Sequence, residues 1–150
     1  MKKIIKSIVL LSLILLITSF SIKENDASFS LTVEVNNSRN SEGVIQFALY
    51  NEDGSIPDEK YEKYYKMLKG RITEGSAIVV FDDLAPGTYV VNILHDENLN
   101  GKIDKGFILP IEGLGFSNYQ SIGLTNRPKY SKASFELSSD MKIEVKVIYM

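Results

Sequence analysis

Apolar and polar residues alternate along several stretches of the chain after residue 28. In the stretch Phe29–Val35 every second residue is apolar, and the residues between them are polar. A period of two residues predicts a β-strand with one buried face. Residues 141–149 show the clearest alternation and predict another strand of this kind. The remaining predicted strands are the β-rich runs Val44–Tyr50, 77–81, 88–94 and 132–137.

The period of the apolar residues changes between residues 57 and 69. Four side chains there follow the spacing i, i+3, i+4 and i+7, and they are Tyr61, Tyr64, Tyr65 and Leu68. This spacing predicts one face of a short helix that lies against the sheet. Pro57 suits the first turn of such a helix, and Gly70 suits a stop after its last turn. The tyrosines either pack on the core with their hydroxyls at the rim or form a recognition surface.

About seven short strands, one short helix and no alternation of strands with helices indicate an all-β fold, an antiparallel β-sandwich. We assign residues 29–150 to this single domain, which is long enough for one sandwich core. Residues 22–28 are polar and are predicted to be a linker. The Gly-rich residues 112–118 are expected to be irregular, since they lack the lysine and the strand–loop–helix context of a phosphate loop.

The first 21 residues have the pattern of a secretory signal peptide. Lys2, Lys3 and Lys6 form a positive start, and residues 8–17 are apolar except for one serine. Residues 19–21 then offer the small side chains that a signal peptidase reads. Because the apolar core is too short for a stable membrane span, we expect export to the periplasm or the extracellular space, with no membrane span after cleavage. An uncleaved amphipathic anchor is the alternative.

Charge and cysteine content exclude several classes of function. The chain has 17 Lys and Arg and 19 Asp and Glu residues. Residues 1–21 carry three lysines and no acid, so the remainder has 14 basic and 19 acidic residues and a net charge of −5. Such a protein lacks the basic surface that nucleic acid requires. The absence of cysteine excludes disulfides, thiol chemistry, cysteine-bound zinc and a lipid attached through cysteine.

A polar stretch after the predicted strand 88–94 has the pattern of a calcium loop. Counted from Asp96, oxygen-bearing side chains fall at positions 1, 3, 5 and 9, with glycine at position 6. Calcium takes about six to eight oxygens, and such a loop supplies them from alternate side chains and from the carbonyl of position 7. Ile103 at position 8 is expected to point into the protein. The predicted ligands are Asp96, Asn98, Asn100, Lys102 through its carbonyl, and Asp104.

The calcium pattern is incomplete at position 12. That position normally carries a bidentate glutamate, and here it is Phe107. The missing ligand comes from elsewhere in the chain, comes from water, or does not exist. Glu112, Asp82 and Asp83 are the carboxylates nearby in the sequence, and we include Glu112 among the predicted ligands. The alternative is a metal-free turn, because Asn, Asp and Gly form tight turns through bonds between side chain and backbone.

His95 is the only histidine of the chain. A Ser-His-Asp hydrolase would have to use it, and a zinc site built from several histidines is excluded. Beside Asp96 and Glu97 it is a candidate general base or a ligand for a transition metal. More often such a histidine orients a loop through hydrogen bonds, and we favour that interpretation. No signal in the sequence marks a pair of carboxylates for glycoside hydrolysis.

Three motifs together resemble one protein family. They are Phe81-x-x-Leu84-x-Pro86-Gly87-x-Tyr89, His95-Asp96-Glu97-Asn98-x-Asn100-Gly101-Lys102-x-Asp104 and Pro110-x-Glu112-Gly113-x-Gly115-Phe116-Ser117-Asn118. Over approximately residues 31–149 the chain is similar to domain-of-unknown-function family 2141, a set of exported bacterial proteins. The resemblance implies a small prealbumin-like or Ig-like sandwich, similar to repeat domains of bacterial surface adhesins, and no particular activity. It also implies that Glu112 is a recurrent acid close to the loop and that the family lacks the acid at position 12.

Two functions from different classes fit these observations. The first is an exported, non-catalytic module whose calcium-bound loop stiffens one end for binding a protein, a glycan or another component of the cell envelope. Extracellular calcium modules bind with dissociation constants of about 10⁻⁴ to 10⁻³ M, which suits an incomplete ligand set. The second is a small-ligand-binding protein or an enzyme that uses a cleft around His95 and Glu112.

Overall fold

The computed structural model describes residues 27–107 and 109–150 of the chain. These residues form eight β-strands and one four-residue helix. The predicted signal peptide and residues 22–26 of the predicted linker lie outside the described residues. In chain order the elements are β1 (Phe29–Val35), β2 (Val44–Tyr50), β3 (Lys66–Gly70), β4 (Ala77–Leu84), β5 (Gly87–Asp96), β6 (Gly113–Phe116), α1 (Tyr130–Ala133), β7 (Phe135–Leu137) and β8 (Met141–Glu144).

The strands form two packed sheets, which confirms the predicted sandwich. One sheet has the order β4-β1-β8, and the other has the order β3-β2-β5-β6, with β7 paired to the first residues of β5. The pairs among these strands are antiparallel except for β1 and β8, which run parallel with Leu31 opposite Met141. Apolar residues alternate in the same way in both kinds of pair, so the sequence pattern does not reveal strand direction.

The main core lies between the two sheets. The three-stranded sheet contributes Leu31, Val33 and Phe81 to it, and the five-stranded sheet contributes Phe47 and Ile93. All five side chains are almost completely buried. Since burying each one contributes about 1.5 to 3 kcal/mol, this apolar layer is what holds the two sheets together.

The five-stranded sheet is also covered on its outer face. Both β2 and β5 turn buried side chains to this face, where they pack against α1 and the connections between strands. These side chains are Ala48, Tyr50, Val90 and Leu94 from the strands, and Ile56, Tyr61, Tyr119 and Ala133 from the cover. Nearly every residue of β2 and β5 is therefore buried, as in strands that are covered on both faces. The connections on this face belong to the packed structure.

The predicted helix over residues 57–69 is wrong. Residues 51–65 form turns and irregular backbone, and Lys66–Gly70 is strand β3, which pairs with the edge of β2. Tyr61 has a φ of 53°, in the left-handed region that a right-handed helix excludes. The backbone hydrogen bonds available at the edge of β2 outweigh the weak helical periodicity. Of the tyrosines in the predicted stripe, Tyr61 is buried, whereas Tyr64 and Tyr65 are exposed.

The helix that does form lies elsewhere. Residues 132–137 were expected to be one strand, but Tyr130–Ala133 is the helix α1, and only Phe135–Leu137 forms strand β7. Ala133 is fully buried and anchors the helix on the outer face of the five-stranded sheet. Among the described residues, no helix has the length and apolarity needed to cross a bilayer.

The Gly-rich residues 112–118 were expected to be irregular, and this is also corrected. Gly113–Phe116 is strand β6, which pairs antiparallel with the last residues of β5. Its glycines leave room for the segment that follows β8. A Cβ atom on Gly115 would lie 2.2 Å from the carbonyl oxygen of Lys146, and one on Gly113 would lie 2.5 Å from a methyl carbon of Val147. The glycines therefore serve close packing of one backbone on another.

Residues 141–149 connect the two sheets. The alternation predicted one strand, and its first part, β8, pairs with β1 in the three-stranded sheet. The chain then leaves that sheet, and Ile148 makes an antiparallel bridge to Leu114 of β6 with backbone hydrogen bonds of 3.0 and 2.7 Å. This segment therefore holds the two sheets together through the backbone as well as through side chains.

Substitution of Gly115 by alanine tests this close approach. The backbone carbonyl of Lys146 cannot move as cheaply as the end of a flexible side chain, so Gly115→Ala is expected to reduce the free energy of unfolding by about 3 kcal/mol. The matched control is Gly123→Ala, because a Cβ atom on Gly123 meets no other atom within 4 Å. It should change stability by less than about 1 kcal/mol. Urea unfolding measures both, and equal losses in the two variants would contradict the packing described for β6.

Candidate metal-binding loop

The candidate loop begins where β5 ends. We call residues 96–104 the 96–104 loop. The last residues of β5 are His95 and Asp96, and both are fully buried. Asp96 lies opposite Val44 of β2 in the strand register, so the first residue of the loop is fixed by the sheet. Ile103 packs against the cluster on the outer face, as expected for position 8.

The carboxylate of Asp96 holds the turn of the loop. Its Oδ1 accepts a hydrogen bond from the backbone N–H of Asn100 at 3.0 Å, and its Oδ2 accepts one from Gly101 at 2.9 Å. Leu99 and Gly101 have φ values of 63° and 71°, which let the chain reverse direction. Each carboxylate oxygen has two acceptor sites, so these bonds leave capacity for a further partner.

Three polar side chains of the loop converge on one another. The side-chain amide of Asn100 donates to both oxygens of Asp104, at 3.1 and 3.0 Å, and the amide of Asn98 donates to Oδ2 of Asp104. A rotation of either amide by 180° exchanges its NH₂ group for its oxygen without moving the backbone. The rotated amides would present two oxygens beside a carboxylate to a cation, at the cost of the hydrogen bonds that these oxygens accept from the backbone N–H groups of Asn100 and Lys102. The backbone N–H of Lys102 donates to Oδ1 of Asn100 at 2.8 Å, and the Lys102 side chain is exposed.

The donors of the loop are mostly amide and backbone groups. In residues 27–107 and 109–150 no three His, Cys, Asp or Glu side chains lie together in an arrangement that could hold a metal ion. A cation at the 96–104 loop would therefore depend on Asn and carbonyl oxygens beside the carboxylates of Asp96 and Asp104. Oxygen ligands of this kind match a hard cation such as calcium.

The carboxylate of Glu112 holds the 96–104 loop through hydrogen bonds to its backbone. Glu112 is 3 % exposed, and its two carboxylate oxygens accept the backbone N–H groups of Glu97 at 3.1 Å and of Asp104 at 3.2 Å. One side chain therefore connects the start of the loop to its end. Burial raises the pKa of Glu112, the charges of Asp104 and Asp96 act in the same direction, and the two backbone bonds lower it. This contact holds the loop closed, and a role for Glu112 as a metal ligand stays a prediction.

The other candidates for the missing ligand lie elsewhere. Asp82 and Asp83 belong to β4 in the three-stranded sheet, where Asp82 accepts a hydrogen bond from the hydroxyl of Ser30. Their backbone carbonyls are hydrogen-bonded by Lys66, which is opposite Leu49, near the far end of β2 from Asp96. The structure therefore does not bring them to the 96–104 loop. Phe107 at position 12 is fully exposed.

An ion pair attaches the loop to the connection between β1 and β2. The guanidinium of Arg39 donates two hydrogen bonds to the carboxylate of Glu97, one of them at 2.8 Å, and a third to the carbonyl oxygen of Ile111 at 3.1 Å. Asn40 donates to Glu97 at 2.6 Å. The hydrogen bonds from Arg39 and Asn40 lower the pKa of Glu97 to about 2. Arg39 also lies over the ring of Tyr149, 4.7 Å from its centroid.

The side chain of His95 is held in place by hydrogen bonds within the protein. Its Nε2 donates to the carbonyl oxygen of Glu42 at 2.9 Å, because a carbonyl can only accept. Its Nδ1 can then accept the hydroxyl of Tyr149 at 2.7 Å. Both ring nitrogens are thus occupied and the side chain is fully buried. These are the contacts expected of a histidine that orients a loop.

Two buried polar residues beneath the loop were missed by the sequence analysis. Gln46 is 2 % exposed, and its Oε1 would lie 3.9 Å from a Cβ atom on Gly101. Burial raises the pKa of Tyr61, and the charges of Tyr50 and Asp58, followed by those of Glu112 and Asp96, act in the same direction. The Nε2 of Gln46 and the hydroxyl of Tyr61 have no hydrogen-bond partner among the described residues. The one signal in the sequence is that Gln46 interrupts the apolar run of β2.

Comparison with known proteins identifies the family. The family model described as "Uncharacterized protein conserved in bacteria (DUF2141)" matches residues 33–145. Because the match covers more than half of the chain, the protein belongs to this family, as the three motifs predicted. No curated protein and no solved structure matches the chain.

Substitution of Glu97 by glutamine tests the ion pair with Arg39. The pKa of Glu97 in the folded protein is about 2, below its ordinary 4.5. A depressed pKa stabilises the fold above about pH 4.5, and this contribution is lost as the pH falls toward 2. The free energy of unfolding of the wild-type protein should therefore be about 1 kcal/mol higher than that of Glu97→Gln near neutral pH, and this difference should shrink in acid. Urea midpoints across this pH range measure it.

A matched control is Glu59→Gln, which removes the more exposed ion pair between Glu59 and Lys105. This pair should contribute less than about 0.5 kcal/mol at any pH. A difference between wild type and Glu97→Gln that is as large at pH 2 as at neutral pH would show that the charge of Glu97 is not its cause.

Proposed function

We propose that the protein is an exported, non-catalytic β-sandwich module whose 96–104 loop binds calcium and thereby fixes one end of the sandwich. The observation that carries this proposal is the convergence of Asn98, Asn100 and Asp104 beside the turn that Asp96 holds. Four oxygen-bearing side chains at positions 1, 3, 5 and 9 then face a short, closed turn. This is the spacing at which a calcium loop supplies its ligands.

The chemistry of the donors favours calcium over softer metals. The side chains are carboxylates and amides, and the chain has no cysteine. The ring nitrogens of His95 are both hydrogen-bonded within the protein. Glu112 would hold the loop backbone, and the carbonyl of Lys102 would add an oxygen at position 7. With two carboxylates among the proposed ligands, Asp96 and Asp104, a dissociation constant of about 10⁻⁴ to 10⁻³ M is expected, which is the range of extracellular calcium modules.

Export is supported by the first 21 residues of the sequence, with their positive start, apolar core and small residues before position 22. A periplasmic or extracellular location also suits a weak calcium site, because cytosolic calcium is far below such dissociation constants. The partner of the module is then a protein, a glycan or another component of the cell envelope. Its net charge of −5 without residues 1–21 argues against nucleic acid.

The alternative, a small-ligand or catalytic cleft around His95 and Glu112, has no specific observation in its favour. His95 is fully buried with both nitrogens bonded, and both oxygens of Glu112 accept backbone N–H groups. Each of these four side-chain atoms therefore already has a hydrogen-bond partner within the protein. Their contacts instead support the closed shape of the loop.

Thermal unfolding with and without calcium tests the proposal. At about 10 mM calcium, 10 to 100 times the expected dissociation constant, linkage adds about 1.4 to 2.7 kcal/mol to the stability of the folded state. For a domain of this size the melting temperature should rise by about 5 to 10 °C. Asp104→Asn removes one of the two carboxylates proposed as ligands and should weaken calcium binding at least about tenfold, so that most of the rise is lost.

The control for charge is Asp83→Asn. Asp83 is exposed on β4, and asparagine tolerates its φ of 56°. This variant should keep the full response to calcium. The same concentration of magnesium should produce a smaller rise, because magnesium keeps several of its waters and demands stricter geometry. An unchanged melting temperature of the wild-type protein in calcium, or an equal rise in Asp104→Asn, would overturn the proposal.

A further inference from the structure

A cavity opens on the outer face of the five-stranded sheet, away from the 96–104 side chains that converge. Its volume is about 250 Å³. Its floor is formed by the strands and its walls by the covering connections. Asn92, Leu114 and Phe116 belong to the floor, and Ile103, Ile122 and Leu124 belong to the walls. We call this space the outer-face cavity.

The floor of the outer-face cavity holds one polar side chain whose bonding is incomplete. Asn92 is 3 % exposed and lines the cavity. Its side-chain NH₂ group donates to the carbonyl oxygen of Gly115 at 2.9 Å, which fixes the direction of the amide. Its Oδ1 accepts no hydrogen bond from the described residues, although such an oxygen can accept two. Since Asn92 lines the cavity, this oxygen is the part of its side chain that is left for a ligand. Asp58 is another buried polar side chain of the lining, and its Oδ2 accepts hydrogen bonds from the hydroxyl of Tyr50 at 3.3 Å and from the backbone N–H of Lys63 at 2.8 Å.

The mouth of the outer-face cavity is apolar with one cation that the described residues leave unpaired. Leu124 and Leu109 are 67 % and 40 % exposed there. Lys105 forms an ion pair with Glu59 at 2.5 Å, so these two charges compensate each other. No carboxylate among the described residues lies within ion-pair distance of the exposed side chain of Arg127. Arg127 is therefore the charged group at the mouth whose side chain has no partner among the described residues, whereas Asp58 in the lining accepts hydrogen bonds from Tyr50 and Lys63, so an anionic group of a ligand can pair with Arg127.

Size and shape limit what the outer-face cavity can hold. A cavity of about 150 Å³ takes a benzene ring, so this one has room for a ring with a few substituents. Its walls include Pro57, Pro110 and Pro128, and its floor includes the ring of Phe116, all of which are rigid apolar surfaces. A flat, rigid ligand loses less conformational freedom against such walls than a flexible chain.

We propose that the outer-face cavity binds a small aromatic acid that carries a hydroxyl on its ring. The ring fills the apolar space, the hydroxyl donates to Oδ1 of Asn92, and the carboxylate meets Arg127 at the mouth. A pocket that is mostly apolar, with a few convergent polar groups, is the usual form of a small-molecule site. The proposal is independent of calcium, because none of these three contacts involves the 96–104 carboxylates.

The test is a titration of the ¹⁵N-labelled protein with four probes, followed by amide chemical shifts. The probes are 4-hydroxybenzoate, 4-methoxybenzoate, phenol and 6-hydroxyhexanoate. We expect 4-hydroxybenzoate to shift the amides around Leu114, Phe116 and Ile122. It should bind about tenfold more tightly than 4-methoxybenzoate, which cannot donate to Asn92, since one buried hydrogen bond is expected to produce a ratio of this size. Phenol, without the carboxylate, and the flexible 6-hydroxyhexanoate should both bind more weakly than 4-hydroxybenzoate.

Variants assign the binding to the outer-face cavity. Leu124→Trp fills the mouth with a side chain that was already exposed, so the fold should persist and binding of 4-hydroxybenzoate should be lost. Leu68→Trp on β3 is the matched control, because Leu68 is also exposed and does not line the cavity. Asn92→Leu should abolish the preference for the hydroxyl over the methoxy compound, and Arg127→Gln should abolish the preference for 4-hydroxybenzoate over phenol.

Several results would overturn the proposal. They are equal affinity of the wild-type protein for the hydroxyl and methoxy compounds, tighter binding of 6-hydroxyhexanoate than of 4-hydroxybenzoate, no binding of any probe, and unchanged binding in Leu124→Trp. If Asn92→Leu does not fold, the ratio of the hydroxyl and methoxy compounds on the wild-type protein still decides the role of the Asn92 oxygen.

Discussion

Burial of β5 on both faces is the constraint on which the rest of the structure depends. One face packs in the core between the sheets. The other face carries apolar side chains, such as Val90 and Leu94, that are also buried. A second sheet covers the first face, so the connections between strands have to cover the second. Because burial of these apolar side chains is favourable, segments such as residues 51–65 are held in place over this face, although they contain little regular structure. The 96–104 loop and the outer-face cavity both owe their position to this cover.

The sequence predicted most strands because alternation is a local property. β1, β2, β4 and β5 were recognised from runs of a few residues, and the sandwich followed from their number. The errors arose where distant partners decide. Residues 66–70 become a strand because β2 offers an unpaired edge, which no local pattern reports. The glycines of β6 suggested an irregular segment, but Gly115 is required by the close approach of the backbone at Lys146, which lies about 30 residues further along the chain.

The candidate site also has features that the sequence predicted and features that depend on distant parts of the chain. The positions of Asp96, Asn98, Asn100 and Asp104 in one turn could be read from their spacing, since the geometry of a short loop is largely encoded within it. The hydrogen bonds by which Glu112 holds the loop closed could not be predicted from the sequence. Glu112 was grouped with the possible ligands because it is an acid nearby, yet its oxygens are used by the backbone at both ends of the loop. Gln46 approaches Gly101 from β2, and Tyr61 comes from the irregular segment before β3, so neither position could be inferred from the sequence of the loop itself.

The parallel pair of β1 and β8 has a consequence for the order of folding. The backbone N–H of Ser30 donates to the side chain of Asp140, which is 110 positions further along the chain. The three-stranded sheet therefore cannot form completely until the two ends of the domain have come together. Contacts of such large sequence separation slow folding, because the entropy of closing the long loop is lost before the contact forms. A chain of this topology therefore stays unfolded longer than a meander of neighbouring hairpins of the same length would.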